Sequence, residues 1–286
     1  MGRKSKVSAA RLQEVLNQAT LTALGIRDAY LLEGISISED ELMALLQNNL
    51  SNNNSLIVEH SLAILPLGFA DLLIVNVKTL RTKLSSLVVD TATDSGADRS
   101  GAWESINQPL LVNINGSEPA VCEDVEYDLI KSSLLKVFGS FPEIQDESHE
   151  ATFSIKMLHL NDEKEAELVS SIGYPFLAGW LIGYVCIYYC TTDDGSSLVN
   201  RELEKTTIKV VNSDTSLSLV ISEFSCPASI LDVSHRRDTF QKALTAKLAA
   251  IQDGVDSRAT KEAFRVTSRL SVILENSTHR LLAVSL

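Results

Sequence analysis

Hydrophobic positions in this chain recur with two periods that keep changing places. Leu12, Val15, Leu16, Ala19 and Ala23 recur every three or four residues, which predicts a helix over 8–24 stopped by Gly25. "AYLLEG" follows as a short strand. Ser38 with Glu41 reads as a capping box, and Ile37 with Leu42 as a hydrophobic staple, for a second helix that buries Leu42, Leu45 and Leu46 and ends in the polar "NNLSNNNS". "LIVEHSLAIL" and "DLLIVNV" are apolar runs of strand type joined by a turn through Pro66 and Gly68, a predicted hairpin. Val77, Leu80, Leu84 and Leu87 then predict a helix that covers the hairpin before "LVVD".

The second half continues the alternation. "PLLVNIN" reads as a buried strand, followed by a helix with Pro119 in its first turn and Gly139 at its end. Glu118, Glu123, Asp124 and Glu126 early in it, with Lys131 and Lys136 late, complement the helix dipole, a pattern that stabilises a helix without building a site. "TFSIKMLHL", "YVCIYYC" and "TTIKVVNSDTSLSLVISEF" supply strands, the last as a pair around a turn from Asn212 to Thr215. Phe240, Ala243, Leu244, Leu248 and Ile251 form a core-facing helical stripe, and "FRVTSRLSVIL" with "RLLAVSL" reads as a closing hairpin across Asn276, Ser277 and Thr278.

One stretch tests the membrane question. From Leu168 to Thr192 there are 25 residues without charge, long enough to span a bilayer by length alone. Gly173, Pro175, Gly179 and Gly183 interrupt it, and its end is rich in β-branched and aromatic residues. The better reading is a helix from about Asp162 broken near Gly173, a short buried helix after Pro175, and a strand over 184–190. No membrane span is expected. Gly179 and Gly183 then serve to bring a buried helix close to a sheet.

Helices and strands in this irregular order, with several hairpins, favour an α+β fold with a mixed or mostly antiparallel sheet and helices packed on it. The expected organisation is a flexible basic tail over 1–7 and one domain over 8–286, with a polar loop or insertion at about 91–108, where "TATDSGADRSGAWESINQ" has only Trp103 as an anchor.

Composition adds a few exclusions. A formal charge of -12 at pH 7 argues against nucleic acid or anionic lipid as the main partner. Only Arg3, Lys4 and Lys6 are locally basic, a solvated tail or a targeting arm. No apolar signal region follows them and four cysteines make no disulfide framework, so a reducing compartment, cytoplasmic or nuclear, is expected. Lys6 stands where an N-myristoylation pattern wants Ser or Thr.

The blocks "LTALGIRDAYLLEG", "LLIVNV", "QPLLVNI" and "GYPFLAGWLIGYVCIYY" together resemble a eukaryotic family of similar length, catalogued as domain of unknown function 4504. That family places a proline after the Gly-Tyr pair, where this chain has Val185, and an Asn-Cys-Leu-like element downstream, where Asn200 is followed by "REL". The resemblance implies no catalytic residue.

Sites with chemistry are few. Dinucleotide, P-loop, zincin and hydrolase-elbow motifs are missing, and no cofactor is expected. Cys186 and Cys190 share one strand face and, with Cys226, are candidate soft-metal ligands, or else small core hydrophobes. Asn115, Gly116 and Ser117 at a strand-to-helix junction are candidate ligand-binding residues whose amides could hold an anion, or an ordinary N-cap. Asp193 and Asp194 after an apolar strand are candidates for a cation or acid/base role, or a turn. The five histidines share no spacing. The expectation is an interaction or scaffold protein without catalysis, with a protein partner or self-association. The alternative is a small-molecule-binding protein or enzyme whose site lies at the strand ends near residues 115–117 and 193–194.

Overall fold

The computed structural model describes residues 7–32, 34–50, 61–67, 71–92, 109–139, 141, 144, 154–160, 162–191, 196–212, 217–257, 260 and 271–280. Helix α1 (Ala9–Ala23) begins where Ser8 Oγ accepts the Arg11 amide at 3.2 Å, and it is followed by strand β1 (Ala29–Leu32). Helix α2 (Glu39–Leu50) starts with the reciprocal bonds of Ser38 and Glu41. Strands β2 (Leu62–Leu67) and β3 (Asp71–Asn76) pair antiparallel as the expected hairpin. Pro66 lies inside β2, not in a turn. It is tolerated because the parallel partner on the other side, β6 (Ile155–Met157), pairs only with Leu62, Ala63 and Ile64, which leaves Pro66 on an edge where no amide is demanded.

These four strands form a sheet in the order β1-β3-β2-β6. Both faces are buried. Tyr30, Leu32, Ile64 and Ile74 pack with Val15 and Ala19 of α1 and Leu42 and Leu46 of α2, while Leu65, Leu73 and Val75 face the opposite layer. That two-sided burial explains why the strand sequences are continuous apolar runs without alternation.

Helix α3 (Val77–Ala92) carries Leu80, Leu84 and Leu87 against the sheet and continues through the segment expected to follow it as "LVVD". Strand β4 (Leu110–Asn113) lies between the short antiparallel β5 (Ala120–Val121) and the parallel β7 (Cys186–Tyr189). Helix α4 (Asp124–Phe138) starts only after β5, with Glu123 as N-cap and its amide bonded to the Glu126 carboxylate at 2.8 Å. The helix start expected around Ser117 is therefore corrected: pairing of Val121 with Val112 holds that segment extended.

The 25-residue uncharged run divides as its glycines suggested. Helix α5 (Asp162–Ile172) ends at Gly173, helix α6 (Tyr174–Ile182) starts with Pro175 in its first turn, and β7 follows. Among the described residues no helix is long and apolar enough to cross a membrane. Instead α6 is buried between layers, with Phe176, Leu177, Trp180 and Leu181 all in the core. A methyl group on Gly179 would stand 3.1 Å from Ile187 Cγ2, so the helix crosses β7 at close range.

Strands β8 (Glu202–Asn212) and β9 (Leu217–Pro227) form a long hairpin, followed by the short helix α7 (Ala228–Leu231) and by α8 (Ser234–Asp256). Phe240, Leu244 and Ile251 of α8 pack on Ile208, Val210 and Phe224, as the stripe predicted. The expected closing hairpin is not formed. Strand β10 (Ser271–Arg280) runs straight through Asn276, Ser277 and Thr278, which pair with Thr206, Lys205 and Glu204. The eleven-residue β8 offers an unbroken row of partners, and that outweighs local turn preference. The fold is α+β with mixed and antiparallel sheets.

Candidate functional site

Four helices, α3, α4, α6 and α8, and the β4-β7 pair converge without filling the space between them. Leu111, Ile130, Leu134, Phe176, Trp180 and Ile187 give apolar walls to a cavity of about 470 Å³, within the range of about 300–1,000 Å³ usual for small-molecule sites. Its polar groups are unusual for so acidic a chain. Lys83 from α3, Lys131 from α4 and Lys247 from α8 line it, together with a single carboxylate, Asp28, just ahead of β1.

Each lysine flanks an apolar stripe: Lys83 precedes Leu84, Lys131 follows Ile130, and Lys247 precedes the half-buried Leu248. A long stem can lie along apolar surface there and bring its ammonium to the edge of the core. Lys83 Nζ stands 2.8 Å from Asp28 Oδ2 and donates to the carbonyls of Trp180 at 2.7 Å and Leu181 at 3.2 Å, with the Trp180 ring 5.6 Å away. Lys247 Nζ donates to the Gly183 carbonyl and lies 3.9 Å from the same Asp28 oxygen. Carbonyls at the C-terminus of α6 are thus engaged by two cations. Gly183 is required there, because a Cβ would sit 1.8 Å from Asp28 Oδ2 and 2.9 Å from Lys247 Nζ.

Electrostatics follow from this packing. Burial alone would raise the Asp28 carboxyl, but Lys83, Lys247 and Arg27 outweigh it and hold it below the usual carboxylate range. Burial lowers Lys247, and its neighbours Lys83 and Arg27 push the same way against the opposing pull of Asp28.

Lys131 differs from both. It is only 7% exposed, it lines the cavity, and among the described residues it makes no hydrogen bond or ion pair. Its stem is buried along the apolar wall while its nitrogen keeps access to the cavity.

The candidates read from sequence lie elsewhere. Asn115 Oδ1 accepts from the Thr191 amide at 2.8 Å and the Thr191 hydroxyl at 3.2 Å, tying the end of β4 to the end of β7. Gly116 and Ser117 are exposed in a bend and belong to no helix terminus, so the amides there gain nothing from a helix dipole. Asp193 and Asp194 lie outside the described residues. Neither Asn115, Gly116 nor Ser117 lines the cavity. Cys186, Cys190 and Cys226 are all buried, and burial pushes the Cys186 thiol up. Among the described residues no group of three His, Cys, Asp or Glu side chains is placed to hold a metal ion.

Sequence reasoning treated Lys131 as a helix-stabilising charge and passed over Lys83, Lys247 and Asp28. The available signal was a lysine set at the edge of an apolar stripe on each of three helices. No family model, curated protein or solved structure matches the chain.

Proposed function

We propose that this protein binds a small organic anion with an apolar body in the cavity between α3, α4, α6 and α8. The observation that carries this reading is Lys131, a 7% exposed residue that lines the cavity and has no hydrogen bond or ion pair among the described residues. Lys83 and Lys247 have a structural reason to be there, since they cap α6 and neutralise Asp28. Lys131 has none. A carboxylate or phosphate entering the cavity would supply the missing partner, and Leu134, Phe176 and Trp180 would cover the rest of the molecule. A scaffold without a ligand gives no reason for that lysine, which is why the small-molecule reading is preferred to the interaction reading, at a site other than the strand ends first considered.

Calorimetry with 2-naphthoate and its uncharged counterpart 2-naphthamide tests the proposal. The acid is expected to bind one per chain and the amide about tenfold more weakly or worse, with Lys131→Met removing the difference. Equal affinity for acid and amide, or an unchanged affinity in Lys131→Met, would refute it.

A further inference from the structure

Two of the three cavity lysines are not equivalent, although they share one carboxylate. All three N–H donors of Lys83 are used: one on Asp28 at 2.8 Å and two on the carbonyls of Trp180 and Leu181. Lys247 has one acceptor, the Gly183 carbonyl, and Asp28 at 3.9 Å is beyond hydrogen-bond distance. Its nitrogen therefore keeps a direction that no protein group occupies among the described residues, on a side chain that lines the cavity and is 18% exposed.

We propose that Lys247 is an imine-forming lysine that captures an aldehyde or ketone bearing an anionic group, the anion resting against Lys131 and the carbonyl carbon against Lys247. This rests on the binding reading above and names the chemical class of the ligand more narrowly. A lysine is a nucleophile only when its amine is neutral, and burial beside another cation is the usual way to make it so. Burial and the neighbouring cations Lys83 and Arg27 lower Lys247, against the opposing pull of Asp28. The neutral amine can still donate to Gly183 while its lone pair points elsewhere.

The step balances without a co-reactant. The ammonium first gives one proton to water in the cavity. The freed Nζ electron pair forms a bond to the carbonyl carbon, a second proton passes from nitrogen to the oxygen, and the C–O bond breaks as the first proton returns, so that the oxygen leaves as water. The product iminium keeps one proton and the positive charge, so the electrostatic role of Lys247 beside Asp28 survives the reaction. That carboxylate, held ionised by its lysines, favours the charged iminium as it favoured the ammonium.

The test is reductive trapping on the full chain with 6-formyl-2-naphthoate and cyanoborohydride, read by intact mass and peptide mapping, with 2-naphthoate calorimetry in parallel. One adduct per chain is expected, on Lys247, forming about tenfold faster than on any other lysine. Excess 2-naphthoate should suppress it, Lys131→Met should slow it, and Lys247→Arg should abolish it. Adducts spread over many lysines, or falling first on Lys83, overturn the proposal. If 2-naphthoate binds in a Lys131-dependent way and Lys247 is not labelled, the imine proposal fails alone. If 2-naphthoate does not bind and Lys247 is not labelled, both readings fail. Because the wild-type map decides the matter, loss of folding in a variant would not shield the proposal.

Discussion

Replacing Lys131 with Met should make the ligand-free protein more stable while it abolishes anion binding. Methionine has an unbranched stem of similar length, so it can follow the lysine's path past Ile130 and Leu134 without the ammonium. Replacing buried ionic groups by apolar ones of similar volume commonly stabilises by about 1–4 kcal/mol. Here the ammonium opens on a cavity wide enough for water, which belongs to the lower half of that range, about 1–2 kcal/mol. For a domain of this size that is a rise in Tm of roughly 2–6 °C. Urea unfolding at neutral pH without ligand is the direct assay. A ligand present at about 100 times its Kd adds about 2.7 kcal/mol to a protein that binds it, so 2-naphthoate should reverse the order of stability between wild type and variant. Loss of more than about 1 kcal/mol in ligand-free Lys131→Met would mean that the lysine is held by the fold itself and not kept for a ligand.

Gly173→Ala should cost about 2–5 kcal/mol, since it puts a side chain at φ 75 with its Cβ 1.8 Å from the Cys190 carbonyl oxygen, a backbone atom that cannot swing aside. Gly34→Ala, at φ 64 with nothing within 4 Å, should cost only about 1–2 kcal/mol; equal losses in urea unfolding would show that the close approach is not real. Asp28 is held below its ordinary range, so its contribution is present above the unfolded value near pH 4 and is lost as the pH falls through the folded value. Unfolding free energies measured from about pH 5 to 2 should therefore fall less steeply for Asp28→Asn than for wild type, and identical slopes would contradict the assignment. All four cysteines are buried, and burial pushes the Cys186 thiol up. Ellman's reagent should leave the native protein unmodified over minutes and react with all four in urea; rapid native labelling would place a thiol at the surface.

Much of the architecture was written in local pattern. The stripe of α8, the capping box of α2 and the break at Gly173 each depend on residues within one or two turns, so the sequence alone determined them. The same local chemistry settled that the long uncharged run is helix, helix and strand. What it could not contain was pairing between distant segments. Thr206 and Val112 supplied partners that straightened β10 through Asn276 and held Val121 extended ahead of α4, and neither partner is visible from the segment it controls. The site lay on the same side of that divide. Lys83, Lys131 and Lys247 are each unremarkable on their own helices, and Asp28 is one more acid in an acidic chain. A charge acquires its meaning from what surrounds it, because the cost of burying it depends on burial and on the counter-charge within a few ångströms. Only the tertiary structure puts two lysines on one carboxylate and sets the third on the same cavity with no ion-pair partner among the described residues.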